Sequence, residues 1–143
     1  MSDLHGLAAA RLRADGQRYT ANRRAVLETL AAAERPPSIP QLLAARPDLA
    51  ASSLYRNHAV LERAGIVHRI VTNDEFARFE LAEDLTGHHH HRICTTCGAV
   101  DDFTLSTRLE AELERALGRV ASRSGFKANG HRLDLVGTCA RCS

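Results

Sequence analysis

No stretch of this 143-residue chain approaches the roughly 18 consecutive apolar residues that a membrane helix needs. The N-terminus, with Asp3 and His5 ahead of a short alanine run, offers neither a basic segment nor a secretion cleavage pattern. Together these absences point to a soluble, cytoplasmic chain with no membrane partner. Net charge is also scant: 19 Lys and Arg against 17 Asp and Glu leave +2, too little to announce nucleic acid by itself. There is no internal repeat, and low complexity is confined to one histidine run. Hydrophobic residues are nevertheless 44% of the chain, which excludes a disordered tail and suits one ordinary domain or two small ones.

What is present is distributed unevenly. Met1 to Ile70 contains ten Arg and six acidic residues, so this half carries +4 and the remainder is slightly acidic. The basic half reads as helices over Leu4 to Ala14, Asn22 to Ala33 with Asn22 as cap, Ser38 to Ala45 with Ser38 as cap, and about Ala51 to Ala64. The fourth helix puts Leu54, His58 and Leu61 on one face and Ser52, Tyr55, Arg56 and Ala59 on another. After Gly65 the period becomes two, and Ile66–Val71, a polar turn Asn73-Asp74-Glu75 and Phe76–Leu81 form a β-hairpin. Helices followed by a hairpin are the order of a winged helix-turn-helix, with the fourth helix in a major groove and the hairpin as wing. The expected fold class is α+β. Its parts are a winged-helix domain over 1–82, a linker over 83–87, and a small α/β domain over 88–143. The last is read as a strand through His88 to Ile93, a strand Val100 to Phe103, a helix from about Leu105 to Arg123, and a strand His131 to Val136.

All four cysteines lie in C-x-x-C pairs, Cys94 with Cys97 and Cys139 with Cys142. In a reducing compartment two such turns fit one closed tetrahedral sulfur site, a structural zinc. A redox pair or a disulfide switch is the alternative. Four of the eight histidines stand together as His88 to His91. In an extended strand, His88 and His90 face one side and His89 and His91 the other, so one run can feed two N/O metal sites. His131 and Glu110 are candidate companions; the plainer reading leaves most of the run exposed.

Six segments, in order, are similar to the Fur family of bacterial metal-dependent repressors. They are Arg18-Tyr19-Thr20-Ala21-Asn22-Arg23-Arg24; Ser52-Ser53-Leu54-Tyr55-Arg56; Ala64-Gly65-Ile66-Val67; Phe79-Glu80-Leu81; His88 through Gly98; and His131 through Cys142. The resemblance implies a winged-helix domain joined to a dimerisation domain, and a homodimer on an AT-rich inverted repeat in double-stranded DNA. It further implies repression of metal-uptake genes when a regulatory divalent metal is bound. Tyr55 and Arg56 match the groove-contacting pair, with Ser52 and Ser53 beside them and Arg18, Tyr19, Arg23 and Arg24 nearby. The four cysteines match the structural zinc site. His89 and His91 match regulatory ligands, with Glu80 and Asp102 as carboxylates. His88, His90, Glu110 and His131 match a second site.

The chain departs from the family pattern at Arg35-Pro36-Pro37-Ser38, where many iron and peroxide sensors place a histidine ligand. His68 instead resembles the hinge histidine with which zinc-uptake regulators bind zinc together with a hairpin residue and the dimerisation domain. The resemblance implies His68 as a further regulatory ligand and makes zinc the expected metal and iron the alternative, ahead of manganese, nickel or peroxide sensing. Those zinc sensors often use a hairpin cysteine, whereas here the hairpin offers Glu80. His58 shares a face with Leu54 and Leu61 and reads as packed. A metallohydrolase or redox enzyme is the rival from another class, but no general base beside an open three-ligand site is evident, so the chain reads as non-enzymatic. A zinc storage or adaptor protein is a further rival.

Overall fold

The computed structural model describes residues 3–72 and 76–143; the expected hairpin turn Asn73-Asp74-Glu75 lies outside them. Four helices open the chain: α1 Leu4–Ala14, α2 Ala21–Ala32, α3 Ile39–Ala45 and α4 Ala51–Arg63. Strands β1 Val67–Ile70 and β2 Arg78–Leu81 pair antiparallel, with His68 opposite Glu80. One helical turn, α5 Glu83–Thr86, leads to β3 His90–Cys94 and β4 Val100–Phe103, then α6 Thr107–Arg123 and β5 Asp134–Gly137. The second sheet has the order β4-β3-β5, antiparallel between β3 and β4 and parallel between β3 and β5. The architecture is α+β, a helical unit with a hairpin followed by a small α/β unit.

Local chemistry accounts for most boundaries. Ser38 accepts from the Gln41 amide while the Gln41 side chain takes the Ser38 amide, a reciprocal capping box that starts α3. The start of α2 differs from expectation, because the Thr20 hydroxyl, not Asn22, accepts the Arg23 amide at 3.2 Å. Thr20 has extended backbone dihedrals, as a cap requires, and Asn22 falls inside the first turn. Ser106 caps α6 through the Leu109 amide, which starts that helix two residues later than the periodicity suggests. The expected linker is a helical turn, not an extended segment. It closes at Gly87, whose φ of 112° lies in territory that side chains avoid.

The main core gathers Leu4, Ala8 and Leu12 from α1, Val26, Leu27 and Leu30 from α2, Leu54 and Leu61 from α4, and Phe79 and Leu81 from β2. Burying these side chains against one another supplies the main driving force for the first half. A smaller cluster joins Ile70 of β1 to Ile93 and Val100, so the hairpin packs on the second sheet. By contrast, α6 has no buried residue, and its Leu109, Leu117 and Val120 stand exposed. An amphipathic 17-residue helix with a bare apolar stripe lacks its partner surface.

His58 is buried at 2% exposure, with Nδ1 3.0 Å from the Leu54 carbonyl and its ring edge-on to Phe79. Its Nε2 has no hydrogen-bond partner among the described residues. Burial first of all pushes its pKa below the ordinary value. The unfolded chain therefore binds the extra proton more readily, and His58 costs stability as pH falls through about 6.5. We expect His58→Leu to stabilise the fold by about 1 kcal/mol or more above pH 7, by removing the unpaired nitrogen. The gain over wild type should widen below about pH 6.5 in urea unfolding; a gain that does not change with pH would refute the burial argument.

Candidate metal centres

Among the described residues three groups of ligating side chains converge, each with one donor atom per residue and all donors within 4.8 Å of one another. The first is Cys94, Cys97, Cys139 and Cys142. The β3–β4 turn carries one pair, and the chain end after β5 carries the other, brought alongside because Cys94 and Gly137 are register partners. The Cys97 and Cys139 sulfurs are 3.8 Å apart, the edge of a tetrahedron with bonds of about 2.3 Å, as for zinc and thiolate. Amides of Cys97 and Cys139 each donate to Cys94 Sγ at 3.4 Å and lower its pKa to about 6. Cys142 is pushed up to about 12, first by Cys139 and then by burial. Four sulfurs this close resist full ionisation unless a cation neutralises them, and that donor set fits structural zinc.

The histidine run splits between the other two groups. His88 and His89 precede β3 in the structure, yet the alternation persists: the rings of His88 and His90 lie 4.7 Å apart, and those of His89 and His91 4.9 Å. One group is His88, His90, Glu110 and His131. Glu110, in the first turn of α6, accepts from all three Nε2 atoms, at 2.7, 2.9 and 2.7 Å respectively. These hydrogen bonds, that from His90 first, draw its pKa down to about 2. His131 comes from the loop before β5, not from the strand itself. The His90 Nδ1 is buried without a partner among the described residues.

The last group is Glu80, His89, His91 and Asp102. Glu80 on β2 lies 2.9 Å from His89 Nε2 and 3.0 Å from His91 Nε2, and Asp102 on β4 is 3.6 Å from His91 Nε2. Burial opposes the Glu80 charge, but hydrogen bonds from His91 and His89 outweigh it and hold its pKa below the ordinary carboxylate range. Those bonds likewise raise both histidines against the effect of burial, with the Gly87 carbonyl helping at His89. Burial raises Asp102. These preassembled carboxylate–imidazole contacts form a donor set that could hold a divalent cation in place of the shared protons.

His68 does not join them. Its backbone pairs with Glu80, but its Nδ1 accepts from the Arg132 guanidinium at 3.4 Å, and burial and Arg132 lower its pKa. Two residues that the sequence left unassigned support the rings: Glu83 of α5 at 2.7 Å from His88 Nδ1, and Asp134 of β5 at 3.7 Å from His91 Nδ1. Such outer carboxylates orient imidazole ligands. Asp134 is the sheet-register partner of His91, a relation that no spacing in the chain displays.

On α4, Tyr55 is 53% exposed beside exposed Arg56 and Ser52, with Ser53 half-buried. The nearby basic residues divide. Arg23 is committed internally, donating to Asn57 at 3.0 Å and to the Arg18 carbonyl at 2.7 Å, and so ties α2 to α4. Tyr19 packs on the core and hydrogen-bonds His5. Arg18 is exposed, and Arg24 is exposed in a loose pair with Glu28 at 3.6 Å.

Residues 14–136 match the sequence profile of the Ferric uptake regulator family. The peroxide operon regulator of Bacillus subtilis (strain 168) is 31% identical over 136 residues, covering 92% of this chain and 88% of that protein. The ferric uptake regulation protein of Campylobacter jejuni is 33% identical over 138 residues, covering 92% and 83%. A structure of the ferric uptake regulator from Pseudomonas aeruginosa with manganese superposes with a TM-score of 0.72 at 28% identity, covering 92% of this chain and 96% of that one. No helix among the described residues is long and apolar enough to cross a membrane.

The cysteine geometry makes a direct prediction. The purified chain should retain about one zinc per chain through dialysis against a chelator, whereas Cys97→Ser should lose it and melt several degrees lower. Metal analysis with thermal unfolding checks this, and a zinc-free wild type of unchanged melting temperature would rule the structural role out.

Proposed function

Since the chain belongs to the ferric uptake regulator family of metal-responsive repressors, we propose that it is a homodimeric DNA-binding repressor of metal-uptake genes. Its operator affinity is set by a divalent ion at Glu80, His89, His91 and Asp102. The observation that carries this reading is the position of Glu80: it sits on the hairpin of the first half yet touches two histidines of the second. A divalent cation bound there supplies the positive charge that lets the hairpin carboxylate and the β4 carboxylate share one centre with both imidazoles. Glu80 is rigidly related to α4, since β2 pairs with β1 and β1 follows α4 after a three-residue turn. Holding Glu80 against the sheet therefore holds Tyr55 and Arg56 at one angle. Closure is a population shift, and ion and DNA must raise each other's affinity by the same factor.

Tyr55 meets a thymine methyl, Arg56 reads a base edge or a phosphate, and Ser52, Ser53, Arg18 and Arg24 bind the backbone. Arg23 and Tyr19 act by holding that surface in shape. The exposed stripe of α6 meets its copy in a two-fold dimer, so the operator is an inverted repeat, AT-rich as in the family resemblance. The winged-helix domain spans 1–82, the hinge 83–87 and the dimerisation domain 88–143. The cysteines hold structural zinc, and His88, His90, Glu110 and His131 hold a second divalent ion.

The regulatory donors are two imidazoles and two carboxylates, which suit iron(II) or manganese(II). The relatives named for peroxide and ferric regulation, and the neighbour with manganese, support that choice. Zinc is the second reading, favoured by His68, which lines the same cavity of about 520 Å³ as Glu80, His89 and His91. The chain is not an enzyme in either case.

Operator binding measured at fixed salt against manganese(II), iron(II) and zinc(II) tests the reading. Wild type should gain about 10-fold or more with its ion, Glu80→Gln should lose most of that gain, and Tyr55→Ala should bind poorly with or without ion. If titrated ions leave operator binding unchanged while the cysteine site is full, the reading fails. Leu117→Glu on the α6 stripe should give monomers in sedimentation; an intact dimer would place the interface elsewhere.

A further inference from the structure

Glu80 is not the sole polar link between the two halves. Arg35, in the connection between α2 and α3, places Nε 2.7 Å from Asp101 Oδ1 on β4. Asp101 precedes Asp102, so consecutive residues of one short strand face the connection and the donor set. We propose that Arg35 and Asp101 are positioning residues that form a metal-independent latch, holding the DNA-binding half closed on the sheet and so raising affinity for both ion and operator. The inference rests on the closed arrangement being the one that binds operator.

Three observations fix the Arg35 end. Pro36 is buried and its ring restricts the backbone. The Pro37 carbonyl accepts the Phe79 amide at 2.9 Å, which fastens the connection to the strand carrying Glu80. Buried Ser38 then starts α3 through its capping box. The connection therefore cannot swing apart from α2, α3 and β2. The other end is fixed as well, since Asp101 and Asp102 lie in register with Arg92 and His91 of β3. Arg35, Glu80, His89 and Asp102 all line one cleft of about 390 Å³ between the halves. The apolar contact of Ile70 with Ile93 and Val100 brings the surfaces together but has no direction. The guanidinium–carboxylate pair adds one.

The side chains are 53% and 31% exposed, so the pair does not lock the molecule. A pair this exposed shifts a two-state equilibrium by up to about fivefold. Because latch and donor set join the same elements, weakening the latch lowers the closed fraction that the ion and the operator both select.

The test uses the full-length, zinc-loaded chain, Arg35→Gln, Asp101→Asn and the double variant. Manganese(II) is the probe ion, and the DNA is a fragment selected by wild type from random sequence. Manganese affinity is read at the class of sites that Glu80→Gln abolishes. Each single variant should lose about two- to fivefold in manganese affinity and the same factor in ion-free operator affinity. The double variant should be no worse than a single one, and manganese-saturated operator affinity should stay at the wild-type value. Unchanged manganese affinity, losses that multiply in the double variant, or an equal loss at saturating manganese would each overturn the latch. A wild type whose operator binding ignores manganese(II), iron(II) and zinc(II) would count against the proposed function instead, and the manganese-affinity comparison, which needs no DNA, would still decide the latch.

Discussion

The contacts of Glu80 with His89 and His91 are the constraint around which the two halves are arranged. A carboxylate this shielded needs positive partners, and the nearest are imidazoles on a different sheet. The hairpin is therefore part of two structures at once. Its apolar residues Val67, Phe79 and Leu81 belong to the helical core, and its Glu80 reaches the histidines of the second half. Everything that could turn α4 relative to the sheet must stretch or compress those contacts.

Around that joint the arginines have separate duties, although all carry the same charge. Arg23 is spent inside the first half, bridging Asn57 and the Arg18 carbonyl. Arg11 fastens α1 to Asp84 and the Gly65 carbonyl, next to the turn that leads out of the hairpin. Arg132 faces His68. What remains on the α4 side is an exposed Tyr55–Arg56 pair on a helix whose opposite face is packed. The mild net charge conceals this division, because a basic first half is averaged with a slightly acidic second one.

Much of this was legible in the sequence where one local rule decides. Ser38 announces the cap of α3, the alternation after Gly65 announces a hairpin, and the paired C-x-x-C turns announce a sulfur site. The split of four consecutive histidines into two groups follows from a period of two, and holds even where His88 and His89 lie ahead of the paired strand. What stayed hidden depends on register between distant segments. Asp134 meets His91 through parallel pairing, Glu83 reaches His88 because α5 is a helical turn and not an extended linker, and Arg35 meets Asp101 across the cleft. His68 shows the converse: its likeness to the hinge histidine of zinc-uptake regulators marks it as a ligand, while in the structure its ring faces Arg132, 64 residues away. Thr20 in place of Asn22 is a smaller case, in which two residues with good capping chemistry compete and backbone angles choose.

The histidine run has a consequence for how such a chain can evolve. Odd and even members fall in different donor groups, and the run is bounded at one end by Gly87 and at the other by Cys94. Replacing one ring removes a donor from one group only. Inserting or deleting a single residue between those bounds exchanges the membership of both, so that rings meant for Glu80 would face Glu110 and the reverse. The segment can therefore drift in composition more freely than in length, because a substitution touches one donor group and a change of length touches both.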